Sequence, residues 1–239
     1  MSTPRIHSLQ VGMPKDHGTE GAEDPMEKPW RTGFYKDPVE GAVYLGRTNL
    51  DGDGQANLRH HGGPDKAVCV YPTARYPHWR GRLGRELPFG AFGENFSLDG
   101  TDEEAACIGD VYTVGEARVE VSQPRSPCWK LARRWKEKQL AVWFQETGFT
   151  GWYLRVLKEG YVETGQALTL EKRPYPEWTI MRANEVRYHE KKDKELAARL
   201  ADCEALGASW RKKLRLRAER DFQPDEIKRL LGQNQETSE

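Results

Sequence analysis

This chain has no net charge: its 37 basic and 37 acidic residues cancel. A protein that coats nucleic acid or lies on a membrane draws affinity from a cationic surplus, so neither partner is expected. No apolar run approaches the roughly 18 residues that a spanning helix needs, and residues 1–10 lack the apolar core of a secretory signal, so a cytoplasmic location is expected. Cysteine is sparse, with four in 239 residues. They form neither a CxxC pair nor a cysteine–histidine zinc pattern, which argues against a disulfide framework, a zinc site and an iron–sulfur cluster. The GxGxxG fingerprint of dinucleotide sites is also missing, and no internal repeat or low-complexity segment is evident.

What is present describes a globular protein with a dense surface charge: 37% hydrophobic residues, 31% charged residues and eight tryptophans. From residue 3 to 170, glycine and proline cut the chain into short apolar runs. Residues 6–11, 43–45, 67–71, 110–114, 117–121 and 167–170 read as strands, with a hairpin turning at Gly115-Glu116. This spacing favours a β-barrel or sandwich. Two stretches, 73–84 and 129–147, read as helices. After residues 172–176 glycine becomes rare and charged residues alternate with Leu and Ala. Residues 177–188, 191–206 and 209–220 read as helices, residues 223–226 as the start of one further turn, and 233–239 as a frayed polar tail. The expected architecture is mainly β over 1–173, followed by a small three-helix domain over 174–239.

One tract stands out chemically: Ser122-Gln123-Pro124-Arg125-Ser126-Pro127-Cys128-Trp129-Lys130. Two prolines stiffen it, and Arg125 and Lys130 flank a thiol whose thiolate they favour. A thiolate can attack or ligate, and the tract alone leaves both open. The other three cysteines, Cys69, Cys107 and Cys203, sit in apolar or helical runs and read as small core residues. His60-His61-Gly62-Gly63-Pro64-Asp65-Lys66 suits a loop whose backbone approaches an anion closely. In Phe92-Gly93-Glu94-Asn95-Phe96, Asn95 offers a donor and an acceptor between aromatic anchors. Thr32, with Arg31 or Lys36, could hold a phosphate. Residues 49–57 alternate acids like a calcium loop but lack the glutamate at its twelfth position, so calcium is rejected and a positioning loop remains. The basic stretch 210–217 reads as a solvated helix face or a dock for an acidic partner rather than a DNA-binding element.

The three tracts His60–Val68, Phe92–Phe96 and Ser122–Lys130, in that order and spacing, resemble the MOSC superfamily, and closely its YiiM branch. The resemblance implies a mostly β barrel that binds the molybdenum cofactor, a pyranopterin dithiolene ending in a phosphate. Cys128 matches the cysteine thought to give molybdenum a thiolate. Arg125, Lys130, Lys66, Asn95, His60, Thr32 and Lys36 become candidates for cofactor contacts, and His60 or His61 for delivering a proton. The implied activity is reduction of N-hydroxylated compounds, such as hydroxylaminopurine-type base analogues, to the amine. Electrons would come from an external flavin or iron–sulfur reductase. Three other readings compete: a persulfide or cofactor carrier using Cys128, a cysteine-nucleophile hydrolase, and a noncatalytic barrel binding a phosphorylated ligand.

Overall fold

A computed structural model describes residues 3–220 and 225–234. Gln223 and Pro224, expected to open the last turn, and tail residues 235–239 lie outside the described residues. The strands are β1 (Arg5–Val11), β2 (Lys15–His17), β3 (Trp30–Thr32), β4 (Asp37–Pro38), β5 (Val43–Leu45) and β6 (Val68–Pro72). They continue with β7 (Phe96–Asp99), β8 (Val111–Val114), β9 (Ala117–Pro124), β10 (Trp152–Lys158), β11 (Gly160–Val162) and β12 (Thr169–Lys172). The helices are α1 (Leu58–His61), α2 (Tyr76–Leu83), α3 (Lys130–Trp135), α4 (Leu140–Thr147), α5 (Ile180–Tyr188), α6 (Lys194–Ala201), α7 (Ala208–Arg220) and α8 (Glu226–Leu230).

Eight strands make one mixed sheet in the order β12-β8-β9-β10-β6-β7-β1-β4. All its pairings are antiparallel except β6 with β7. The sheet curls until its far side returns to its start: the amide of Ile6 donates to the Gln166 carbonyl at 2.9 Å and that of Leu168 to the Pro4 carbonyl at 2.8 Å. The result is the expected MOSC-type barrel, with β11-β5 and β2-β3 as two small flanking ribbons. The expected hairpin forms with Val114 opposite Ala117, and Gly115 supplies the positive φ of 55° that its turn requires.

Two expectations change. Residues 129–147 do not form one helix. Leu131 and Leu140 are both fully buried, yet nine residues of continuous helix would place them about 180° apart. The chain resolves this by breaking at Lys136, which takes a left-handed φ of 55°, so that α3 and α4 both face an aromatic cluster with Tyr71, Tyr76, Trp79 and Phe92. The central strand β10 is the second difference. No strand is among those expected there, although Trp152-Tyr153-Leu154-Arg155-Val156 carries the aromatic and β-branched residues that sheets favour. β10 pairs with both β9 and β6, and so sets the floor beneath the nonapeptide.

The C-terminal helices do not have a core of their own. Trp178, Ile180, Ala183, Val186, Trp210 and Leu214 are buried in the same cluster as Val119, Val121 and Leu154 of the barrel. Asp65 reinforces the joint. Its carboxylate accepts from Arg155 of β10 at 2.7 Å and from the Ala208 amide that opens α7 at 2.9 Å. Its carbonyl accepts from the Ser122 hydroxyl at 2.6 Å. Gly207 allows this approach, since a Cβ there would fall 2.2 Å from Oε1 of Gln123.

Candidate active site

The barrel strands end in an open cleft. Its lining includes Thr32, Lys36, His61, Lys66, Asn95, Arg125, Cys128 and Lys130. Four separate stretches of sequence therefore converge on one place. His60 is the exception: it is exposed at the rim, and its carbonyl accepts from the Lys66 ammonium at 2.7 Å.

Cys128 follows β9 and is 8% exposed at the cleft wall. The Arg125 amide donates to the Gly151 carbonyl at 3.0 Å, which fastens the nonapeptide to the approach of β10. α3 begins two residues after Cys128, and the Leu131 amide donates to the Cys128 carbonyl at 3.1 Å. The thiol is thus fixed from both sides. Lys130 is lowered from its ordinary pKa by burial, while the neighbouring Cys128 opposes that fall.

Arg125 is the decisive side chain. It is 5% exposed, its guanidinium lies 5.6 Å from the Phe34 ring centroid, and its Nη1 is buried without a hydrogen-bond partner. A buried cation with an unmade hydrogen bond costs stability until an anion arrives. Among the described residues no three His, Cys, Asp or Glu side chains group as metal ligands. A metal held here must therefore bring most of its ligands with it. An anionic group carrying its own sulfur ligands and a phosphate fits these residues: one thiol would be left to complete the metal's ligands, and Arg125, Lys130 and Lys66 would offset the negative charge.

Other lining residues hold the walls. Lys36 was expected to contact a phosphate, but its ammonium pairs with the buried carboxylate of Asp53, which also accepts from the Gly12 amide at 2.9 Å. Lys36→Met would leave that carboxylate without a counterion and should cost about 3–5 kcal/mol. Urea unfolding checks this, and an unchanged midpoint would contradict it. Asn95 is likewise a strut, donating to the Gln10 carbonyl at 3.2 Å and accepting from the Cys69 amide at 3.0 Å. Thr32 accepts from the Phe34 amide at 3.1 Å. Beneath them Glu94, fully buried, accepts from the amides of Gly90 and Phe92 and from the Ser97 hydroxyl. Cys69 is buried as expected and also lines the cleft beside Tyr153, with burial raising its thiol to about 11. Only the pairing of β6 with β10, which sets Cys69 opposite Tyr153, reveals this, because the local sequence of Cys69 is wholly apolar.

His61 is pushed down to about 3, first by burial and then by Lys130, Lys66, Arg125 and His60. It is therefore neutral at pH 7 in the protein alone, and an imidazolium proton donor is not what these surroundings make. Nor does any carboxylate among the described residues orient its ring, so the cysteine–histidine–acid arrangement of a hydrolase is not built. Below pH 6.5 the unfolded chain protonates this histidine while the folded protein resists down to about 3, so stability falls with pH across that window. His61→Gln should lose less stability than the wild type between pH 7.5 and 5 in urea titrations; equal losses would mean that His61 is charged in the folded state.

Comparison with known proteins gives the family. Residues 57–169 match the MOSC domain and residues 178–221 the YiiM-like, 3-alpha helix domain. The chain is 45% identical over 206 residues to YflK of Bacillus subtilis (strain 168), covering 86% of this chain and 90% of that protein. It superposes on the crystal structure of YiiM from Geobacillus stearothermophilus with a TM-score of 0.76 at 36% identity, covering 90% of this chain and 99% of the other. This chain belongs to the YiiM family of MOSC-domain proteins. A protein named reductase from Gibberella moniliformis (strain M3125 / FGSC 7600) is 38% identical over 157 residues, 64% of this chain but only 28% of the fungal protein. The YiiM-like helices are α5, α6 and α7, which share their core with the barrel. No helix among the described residues is long and apolar enough to cross a membrane.

Proposed function

We propose that this YiiM-family chain is a molybdenum-cofactor-dependent reductase of N-hydroxylated compounds. The observation that carries the reading is the buried Arg125 guanidinium, with an unpartnered Nη1, in the same cleft as Cys128 and Lys130. The matched MOSC domain and the reductase-named relative support it. When bound, the cofactor supplies two-electron, oxygen-accepting chemistry, so that N–OH, two electrons and two protons give N–H and water. Cys128 would give the metal a soft thiolate. Arg125 and Lys66 would bind and orient the anionic cofactor, and the Asp53–Lys36 pair and Asn95 keep the cleft walls in place. Lys130 is the proton source in this reading. It adjoins Cys128, and burial makes its ammonium more acidic than usual.

Electrons come from an external flavin or iron–sulfur reductase. Arg211, Lys212 and Arg215 line a surface groove on α7, a basic face suited to an acidic donor protein.

The test is to purify the protein from a host that makes the cofactor, measure molybdenum and pterin, and follow hydroxylaminopurine with a chemical reductant. Stoichiometric metal with turnover is expected. Turnover by metal-free protein would overturn the reading.

A further inference from the structure

The C-terminal helices bury a second cationic cluster beside the cleft. Arg187 of α5 is 2% exposed, with its guanidinium 4.2 Å from the Trp210 ring centroid and 5.3 Å from that of Tyr188. Its Nε is buried without a hydrogen-bond partner, and no salt bridge reaches it among the described residues. Arg217 of α7, 3% exposed, donates to the carbonyls of Val186 and Arg187 at 2.9 and 2.8 Å and keeps an unpartnered Nε. Arg229 of α8 lies 5.5 Å from the Tyr188 centroid, and exposed Lys213 marks the solvent side. Lys213 lies one helical turn before Arg217, on the same side of α7. Glu226 opposes them but is itself engaged by Lys191 at 3.6 Å and Arg229 at 3.3 Å.

This cluster and the cleft are contiguous. The Tyr188 hydroxyl donates to the Ser126 hydroxyl at 3.3 Å, Arg229 donates to the Pro127 carbonyl, and Ser126 and Lys66 line the cleft. A guanidinium stacked on an indole keeps its edge free for the forked hydrogen bonds that phosphate accepts. Arg187 and Arg217 lie below the surface, which suits a small oxyanion better than the carboxylates of a docked protein. The cleft also has its own cations, Arg125 and Lys66, for a cofactor.

We propose that Arg187, Lys213 and Arg229 form a phosphate subsite for the substrate, so that the preferred N-hydroxylated substrate is a nucleotide rather than a free base. The subsite stands on its own observations; only the N-hydroxylated part of the substrate rests on the reductase reading.

Calorimetric titration of the full chain with adenosine 5′-monophosphate, adenosine and inorganic phosphate tests it. The monophosphate should bind at least about tenfold more tightly than adenosine. Lys213→Gln, an exposed change that should leave the far-ultraviolet spectrum intact, should loosen the monophosphate about fivefold or more and leave adenosine unchanged. In turnover the same variant should raise KM for the hydroxylaminopurine nucleotide but not for the free base. Equal affinity for nucleotide and nucleoside overturns the proposal. So does a Lys213→Gln protein that loses molybdenum and pterin but keeps its affinity for the monophosphate, since the cluster would then serve the cofactor's phosphate. The titration needs neither metal nor turnover. If the chain binds the monophosphate through Lys213 but never reduces N–OH, the reductase reading falls and the subsite stands.

Discussion

Cys128→Ala will fold like the wild type, and its bound molybdenum and its turnover of hydroxylaminopurine will fall at least about a hundredfold. Loss of groups that merely support metal ligands already costs tenfold to a hundredfold, so loss of the ligand itself should cost more. The fold is expected to survive because Cys128 is a small side chain at the cleft wall, held by backbone bonds at Arg125 and Leu131 rather than by its sulfur. Metal analysis of purified protein, alongside circular dichroism, separates the two effects. Undiminished metal in a folded variant would remove Cys128 as a ligand.

Arg125→Met will move stability and function in opposite directions. The wild-type guanidinium is buried with a hydrogen bond unmade, and an apolar side chain of similar length removes that cost. Replacing buried charge with well-packed apolar groups is neutral or stabilising by about 1–4 kcal/mol, and each kcal/mol shifts Tm by about 2–4 °C in a chain of this size. The same change deletes a charged donor facing the anion, which should weaken retention of the molybdenum cofactor about tenfold to a hundredfold. Thermal melts of the cofactor-free protein and molybdenum content after purification report the two halves. A variant that melts lower and keeps its cofactor would show that Arg125 serves only packing.

Legibility in the sequence depended on how local each signal was. Cys128, Arg125 and Lys130 were readable because prolines fix their spacing within nine residues, and the tract survives folding as a unit. The roles of Lys36 and Asn95 were not, because each depends on a distant partner: Asp53 for one, Gln10 and the Cys69 amide for the other. A cation or amide near a site in sequence does not reveal which buried acceptor will claim it. The helix break at Lys136 was hidden for a related reason, since apolar residues on both sides fit a helical period and only the shared aromatic cluster demands two orientations. Strand β10, by contrast, carries its signal locally, in the aromatic and β-branched residues of 152–156. The cluster around Arg187 draws on three helices, and its burial could not be read from alternating charges that also suit a solvated surface.

The Asp65 junction limits how this protein can be rebuilt. One carboxylate holds β10 and the start of α7, while its own carbonyl is held by β9. Barrel and helices lock together beside Lys66, on the loop that supplies the cleft. A chimera joining this barrel to the helices of a relative would therefore have to match the shape of the Gly207–Asp65–Gln123 contact as well as the apolar surface behind it. The two modules are distinct as stretches of sequence, but in exchange between proteins they should behave as one part.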